Sequence, residues 1–221
     1  MALFKNRHEA GRHLAKKLSA YADSEKTIVL GLPRGGVPVA FEVAKALNAP
    51  LDVFVVRKLG VPDNEELAMG AIASGGVQVM NQEVLQHFDL DEEEIDDVSR
   101  AEEEKLGHYE RLYRGEQGGP NVKNRMAILV DDGLATGASM RAAVAALKQL
   151  DPRQIIVAVP VAAPATCEEM KEEVDDIICA VTPEPFQGVG VWYTDFTQTG
   201  DPEVQELLER AEKEIDESVL N

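Results

Sequence analysis

Apolar residues along the chain fall into two alternating rhythms. Residues 27–30, 51–56, 126–130, 155–159 and 177–181 are short, nearly unbroken apolar runs rich in β-branched side chains. Runs of this length and composition read as strands buried on both faces. Between them the apolar positions space out helically: Val39, Phe41, Val43, Ala44 and Leu47, then Met140, Val144, Leu147 and Leu150, then residues 165–174. An opening helix is predicted from Phe4, Ala10, Leu14, Ala15 and Leu18, and a closing one over residues 202–217. Alternating strands and helices joined by short turns imply a parallel sheet with right-handed crossovers. The expected fold is α/β, with a largely parallel five-stranded sheet flanked by helices.

Residues 59–125 interrupt that rhythm. Two short apolar segments flank Gly75-Gly76, a strong hairpin signal. A long helix is predicted to follow over about 91–113, with Ile95, Val98, Ala101, Tyr109 and Leu112 on its apolar side. The preceding residues 60–71, holding Gly, Pro, Asp and Asn, read as a loop. The organisation expected is one domain over 1–221, with a flap, hairpin and helical insertion at 59–125. A tail and helix close it at 183–221.

Charge changes the picture only locally. The net charge is −18, but residues 91–104 carry −8 of it and residues 201–217 carry −6. Both runs read as solvated helix faces, so a ligand pocket elsewhere can be cationic. Such a surface argues against nucleic-acid binding, and the basic residues cluster only in 1–20, at net +4. No apolar run of 18 residues occurs, so no membrane partner is expected, and the first 20 residues lack a signal-peptide core. Cys167 and Cys179 have no metal-ligand spacing and are expected to be ordinary thiols of a cytoplasmic protein.

The chemistry concentrates in residues 126–139, MAILVDDGLATGAS. A buried strand delivers two carboxylates, Asp131 and Asp132, to its C-terminal tip. The small-residue turn Ala135, Thr136, Gly137, Ala138 and Ser139 then leads into a helix. Carboxylates suit vicinal hydroxyls or a hydrated cation, and N–H groups at a helix start suit a phosphate. A phosphorylated ribose carries both. The stretch resembles the 5-phosphoribosyl pyrophosphate (PRPP) signature of the type I phosphoribosyltransferases. That resemblance implies that Asp131 and Asp132 hold the ribose hydroxyls and that residues 135–139 cradle the 5′-phosphate. Gly133 departs from the pattern, standing where the family usually has an aliphatic residue.

Two further stretches fall at matching strand ends. In Leu32-Pro33-Arg34-Gly35-Gly36 the glycines allow close backbone approach and positive φ, and Arg34 offers a donor fork for phosphate oxygens. Arg57-Lys58 is expected just past the second strand. The resemblance implies that Arg34, Gly35 and Gly36 bind pyrophosphate, that Arg57 and Lys58 act on it, and that 60–71 is a mobile flap carrying Glu65 and Glu66. The remainder, including LPRGGVPVA, VVRKLGVP and VGVWYTDF, is similar to a group of bacterial phosphoribosyltransferases without an assigned acceptor.

The implied reaction is PRPP-dependent transfer of a 5-phosphoribosyl group to a nitrogenous, nucleobase-like acceptor, assisted by Mg²⁺ held mainly by PRPP and water. Ala135 stands where 6-oxopurine enzymes of the family carry an Asp base. Trp192 and Tyr193, with Phe196, are candidates to stack on the acceptor. A homodimer is compatible with this reading. The alternatives are a regulator that senses PRPP without turnover, and a phosphosugar hydrolase using the same cradle.

Overall fold

The computed structural model describes residues 2–22, 24, 26–62, 64–88 and 90–219, without the side chains of 65, 66 and 216–219. Glu65 and Glu66 therefore lie outside the described side chains. The central sheet holds β1 (Thr27–Gly31), β2 (Leu51–Val53), β6 (Met126–Val130), β7 (Gln154–Val161) and β8 (Asp176–Val181) in the order β2-β1-β6-β7-β8. All four pairings are parallel. Each inner strand is buried along its length, as continuous apolar runs require when both faces are covered.

Side-chain alternation sorts the core into two layers. Ala127 and Leu129 face α5 (Ala138–Lys148), meeting Met140, Ala143, Val144 and Leu147. Ile128 and Val130 face α1 (Arg7–Lys17) and α2 (Gly36–Leu47), meeting Leu14, Val39 and Val43. Burying each such Leu, Ile or Val contributes about 1.5–3 kcal/mol. The chain leaves β1 toward β2 on one side and places β6 on the other. The order therefore reverses between β1 and β6, which opens a crevice at their C-terminal ends.

The second apolar run does not form one strand. It breaks at Phe54 and Val55, giving β2 and then β3 (Val56–Val61) in a separate sheet. The break is held by Ser74, whose Oγ accepts from Val55 N (3.0 Å) and whose N–H donates to Val55 O (2.9 Å). β4 (Asn64–Ala73) pairs antiparallel with β3 and with β5 (Val77–Met80), so 60–71 is largely a hairpin arm and not a loop. α3 (Gln82–Phe88) follows, a short helix without a clear sequence signal. α4 (Glu92–Arg114) starts at a capping box between Asp91 and Glu94, with three glutamates in its first turn and Arg111 and Arg114 in its last. Its apolar side, Leu106, Tyr109, Leu112 and Tyr113, packs on β3, β4 and α7 (Asp201–Val219). α6 (Pro164–Met170) joins β7 to β8, and Cys167 and Cys179 tie it to β8 as a disulfide, not as free thiols.

Candidate functional site

The β6 tip is the centre of the site. Asp131 accepts a hydrogen bond from Asp132 N (2.8 Å) and lies against Gly36. Burial, then the neighbouring Asp132 charge, pushes its carboxyl well above the usual carboxylate range. Burial also raises Asp132, opposed by Arg7, whose Nε donates to Asp132 Oδ2 at 2.8 Å. Tyr193 donates its hydroxyl to Asp132 O (2.5 Å). Burial drives that phenol far up, so it stays protonated as a donor.

The Leu32–Gly36 loop folds directly onto this tip. A side chain at Gly35 would overlap the Asp132 carboxylate, and one at Gly36 would sit 2.6 Å from Val130 O. Neither position has positive φ: Gly35 is helical at φ −62° and caps α2. The glycines are therefore required for close approach alone. Gly133 has a similar explanation. A side chain there would meet Val189 Cγ2 at 2.8 Å, so the tail supplies the aliphatic bulk that the glycine omits.

Residues 135–139 form an exposed turn that ends in α5. Gly137 is its N-cap at φ 76°, a backbone conformation that glycine adopts without steric cost, and no side chain caps the helix. The N–H groups of the first turn therefore have no side-chain acceptor at the cap. Thr166 braces the turn by donating to Ala135 O (2.6 Å). The Ala135 side chain offers no proton acceptor.

Beside Asp132 opens a cavity of about 500 Å³, lined by Arg7, Arg34, Arg57, Tyr109, Tyr113, Phe196 and backbone between β2 and β3. Each arginine is tied to a carboxylate. Arg7 holds Asp132. Arg34 lies 3.7 Å from Asp201, which also accepts from Tyr113 (2.5 Å). Arg57 Nε donates to Glu102 Oε2 at 2.8 Å. Glu102 and Asp201 belong to the two acidic runs, so those runs are not wholly solvated surface.

The predicted residues thus separate. Asp131, Asp132, Arg34, Gly35, Gly36 and Arg57 come together at the crevice, and 135–139 flank it. Lys58, next along β3, is exposed and is not among the residues that line the cavity. Tyr193 is buried against Phe4 and Phe196, and Trp192 packs beside Phe186, so neither lines the cavity. Phe196 does, but Arg7 covers its ring at 4.0 Å. Arg7, Tyr109 and Tyr113 were not singled out by sequence patterns. Arg7 is indistinguishable from the other basic residues of 1–20 until the fold joins it to a partner 125 positions away. A second cavity, of about 490 Å³, lies between α4 and α7 around the Asp52–Arg114 pair, away from the β6 tip.

A doubly wound parallel sheet with a crevice at the strand-order reversal defines an open-sheet α/β protein. The chain belongs to the phosphoribosyl transferase domain family, whose model matches residues 3–194. Its fold is that of the type I phosphoribosyltransferases. It is 45% identical over 219 residues to a Mycobacterium tuberculosis protein named "Putative phosphoribosyl transferase", matching 99% of this chain and 49% of that one. It therefore spans about half the length of that relative. Among solved structures it is similar to TT1426 from Thermus thermophilus, with TM-score 0.82 and 39% identity, covering 95% of this chain and 99% of that one. A Neisseria gonorrhoeae hypothetical protein solved with ppGpp shares the fold at TM-score 0.51 and 14% identity, over 95% of this chain and 96% of that one.

Proposed function

We propose that the chain transfers the 5-phosphoribosyl group of PRPP to a nitrogenous acceptor, releasing pyrophosphate. The observation that carries this reading is the packing of the Asp131–Asp132 tip directly on Gly35 and Gly36, with Arg34 and Arg57 facing the same cavity. Such packing supports a reading in which the acid pair and the loop meet one PRPP molecule together.

In this reading the acid pair accepts hydrogen bonds from the ribose hydroxyls, and the amides of 136–139 take the 5′-phosphate. Arg34 and Arg57 stabilise charge on the departing pyrophosphate, so the protein's contribution is positional and electrostatic. Among the described residues no group of three or more His, Cys, Asp or Glu side chains stands close enough to hold a metal. Two adjacent carboxylates, one already paired with Arg7, suit a largely hydrated Mg²⁺ that arrives with the pyrophosphoryl group. When bound, it would neutralise leaving-group charge. Lys58 is left out of the chemistry, and the acceptor wall is assigned to Tyr109, which faces the cavity from α4, in place of Trp192 and Tyr193.

The deciding experiment measures pyrophosphate release from PRPP and Mg²⁺ across a panel of bases and amines. Acceptor-dependent release supports the transferase. Tight PRPP binding without turnover on any acceptor points to a sensor, and acceptor-independent release to a hydrolase.

A further inference from the structure

Arg7 is the first residue of α1, fixed there by the Asn6 cap, whose side chain accepts from Glu9 N (3.0 Å). From that position its guanidinium makes three contacts with two distant parts of the chain. Nε donates to Asp132 Oδ2 (2.8 Å), one terminal nitrogen donates to Thr197 O (2.7 Å), and the group lies over the Phe196 ring at 4.0 Å. Only about a tenth of the side chain is exposed. The segment it grips is also stitched to the N-terminus: Leu3 N and Phe4 N donate to Trp192 O, and Thr194 N and Asp195 N donate to Phe4 O and Lys5 O. Asp132, Phe196 and Thr199 line the same cavity.

We propose that Arg7 is a positioning residue of the ribose site, orienting the Asp132 carboxylate for the sugar hydroxyls while anchoring the tail segment that lines the same cavity. This rests on the reading of the acid pair as the ribose site. Two adjacent carboxylates taken out of water repel each other, and a guanidinium fork both balances their charge and fixes one oxygen. With Oδ2 held by Arg7, Oδ1 is the acceptor left for a hydroxyl. Without Arg7 nothing opposes the burial and mutual repulsion that favour the protonated forms, and a protonated acid is a donor where an acceptor is needed. The tail would lose its tie to the β6 tip in the same step.

The test is binding of PRPP, ribose 5-phosphate and inorganic pyrophosphate, each by calorimetry, to wild type, Arg7→Gln and Arg7→Lys. Pyrophosphate is met by Arg34 and Arg57 and makes no call on the acid pair. Arg7→Gln is expected to weaken PRPP and ribose 5-phosphate by about tenfold to a hundredfold and leave pyrophosphate within twofold, the loss expected for one charge-assisted hydrogen bond. Arg7→Lys, which keeps the charge but not the fork, should recover about half of that loss on a logarithmic scale. Equal weakening of all three ligands would make Arg7 a purely structural residue and overturn the proposal. Unchanged sugar-phosphate affinity would overturn it too. Wild type that binds neither PRPP nor ribose 5-phosphate would instead sink the reading of the site. Should Arg7→Gln not fold, the same comparison in Arg7→Lys decides: selective loss of sugar-phosphate affinity supports the proposal, and wild-type affinity overturns it.

Discussion

Arg57 Nε donates to Glu102 Oε2 at 2.8 Å, so a candidate pyrophosphate ligand on β3 is already engaged by a carboxylate of the inserted helix α4. Lys105 donates to the other oxygen of Glu102 at 2.6 Å. Burial pushes that carboxyl up, but the hydrogen bonds from Lys105 and Arg57 win and hold it below its ordinary range. Glu102 is therefore ionised at neutral pH and competes with any anion for Arg57. Glu102→Gln removes the competing charge and keeps the side chain's shape. Pyrophosphate affinity, measured by calorimetry, should rise about 1.5-fold to fivefold, the range for a partly exposed ion pair. A fall in affinity would mean that Glu102 aims Arg57 at the ligand.

The acid pair makes the opposite demands on stability and on binding. Asp131 and Asp132 hold protons to higher pH in the folded chain than the ordinary aspartate value of 3.8, because burial disfavours the charged forms. The folded state therefore binds more protons than the unfolded state between that value and the raised one. Unliganded stability contributed by the pair is fullest near the lower limit and is lost as pH rises through the folded pKa. PRPP binding, which needs the carboxylates, should run the other way and fall on acidification at a higher pH than an ordinary Asp would give. Asp131→Asn removes the Asp131 share of both dependences and leaves that of Asp132. It should stabilise the free protein by about 0.5–2 kcal/mol in denaturant melts while abolishing PRPP binding in calorimetry. Loss of stability in that variant would contradict the burial argument.

The parallel sheet was legible because its strands are unbroken apolar runs, which few other elements produce. The β6 tip was legible because Asp131, Asp132 and Gly137 are contiguous, so one local motif carries them. The break between β2 and β3 was not. Residues 51–56 read as one apolar strand, and the Ser74 contact that divides them comes from 19 positions away. That break sets Val56 and Arg57, at the start of β3, against the cavity. Arg7, Glu102 and Asp201 were illegible for a related reason. Each sits in a charged stretch that reads as surface, and only tertiary contact distinguishes the paired residue from its solvated neighbours. Tyr193 looked like a stacking ring, yet its hydroxyl is held by Asp132 O inside the core.

The Cys167–Cys179 disulfide ties α6 to β8, and α6 also carries Thr166, the brace on Ala135 O of the 135–139 turn. The sequence separation is 12 residues, a loop whose closure in the unfolded chain corresponds to about 3 kcal/mol. Cys167→Ser with Cys179→Ser should lower stability by about 2–3 kcal/mol in urea melts. Because the brace is a hydrogen bond from α6 itself, ribose 5-phosphate affinity should fall only a fewfold. Equal melting of the wild type with and without reductant would show that the bond contributes nothing to the fold.

Val189 stands where an aliphatic side chain at position 133 would otherwise stand, its Cγ2 2.8 Å from where a Cβ on Gly133 would lie. The turn after the acid pair and the tail before Tyr193 thus share one packing site, and only one of them can fill it. Gly133→Val alone overfills the site and should cost about 1–3 kcal/mol, with PRPP affinity falling as Asp132 is displaced. Val189→Ala alone leaves a void and should cost about 1 kcal/mol. Made together, the two changes exchange the filling group between segments. The double variant should be more stable than the sum of the single effects by at least 0.5 kcal/mol, the lower end of couplings between residues in contact. Additive losses in the thermodynamic cycle would show that Gly133 is required for a reason other than Val189. A coupled result would identify the tail as the partner that allows this chain to depart from the family's usual residue at that position.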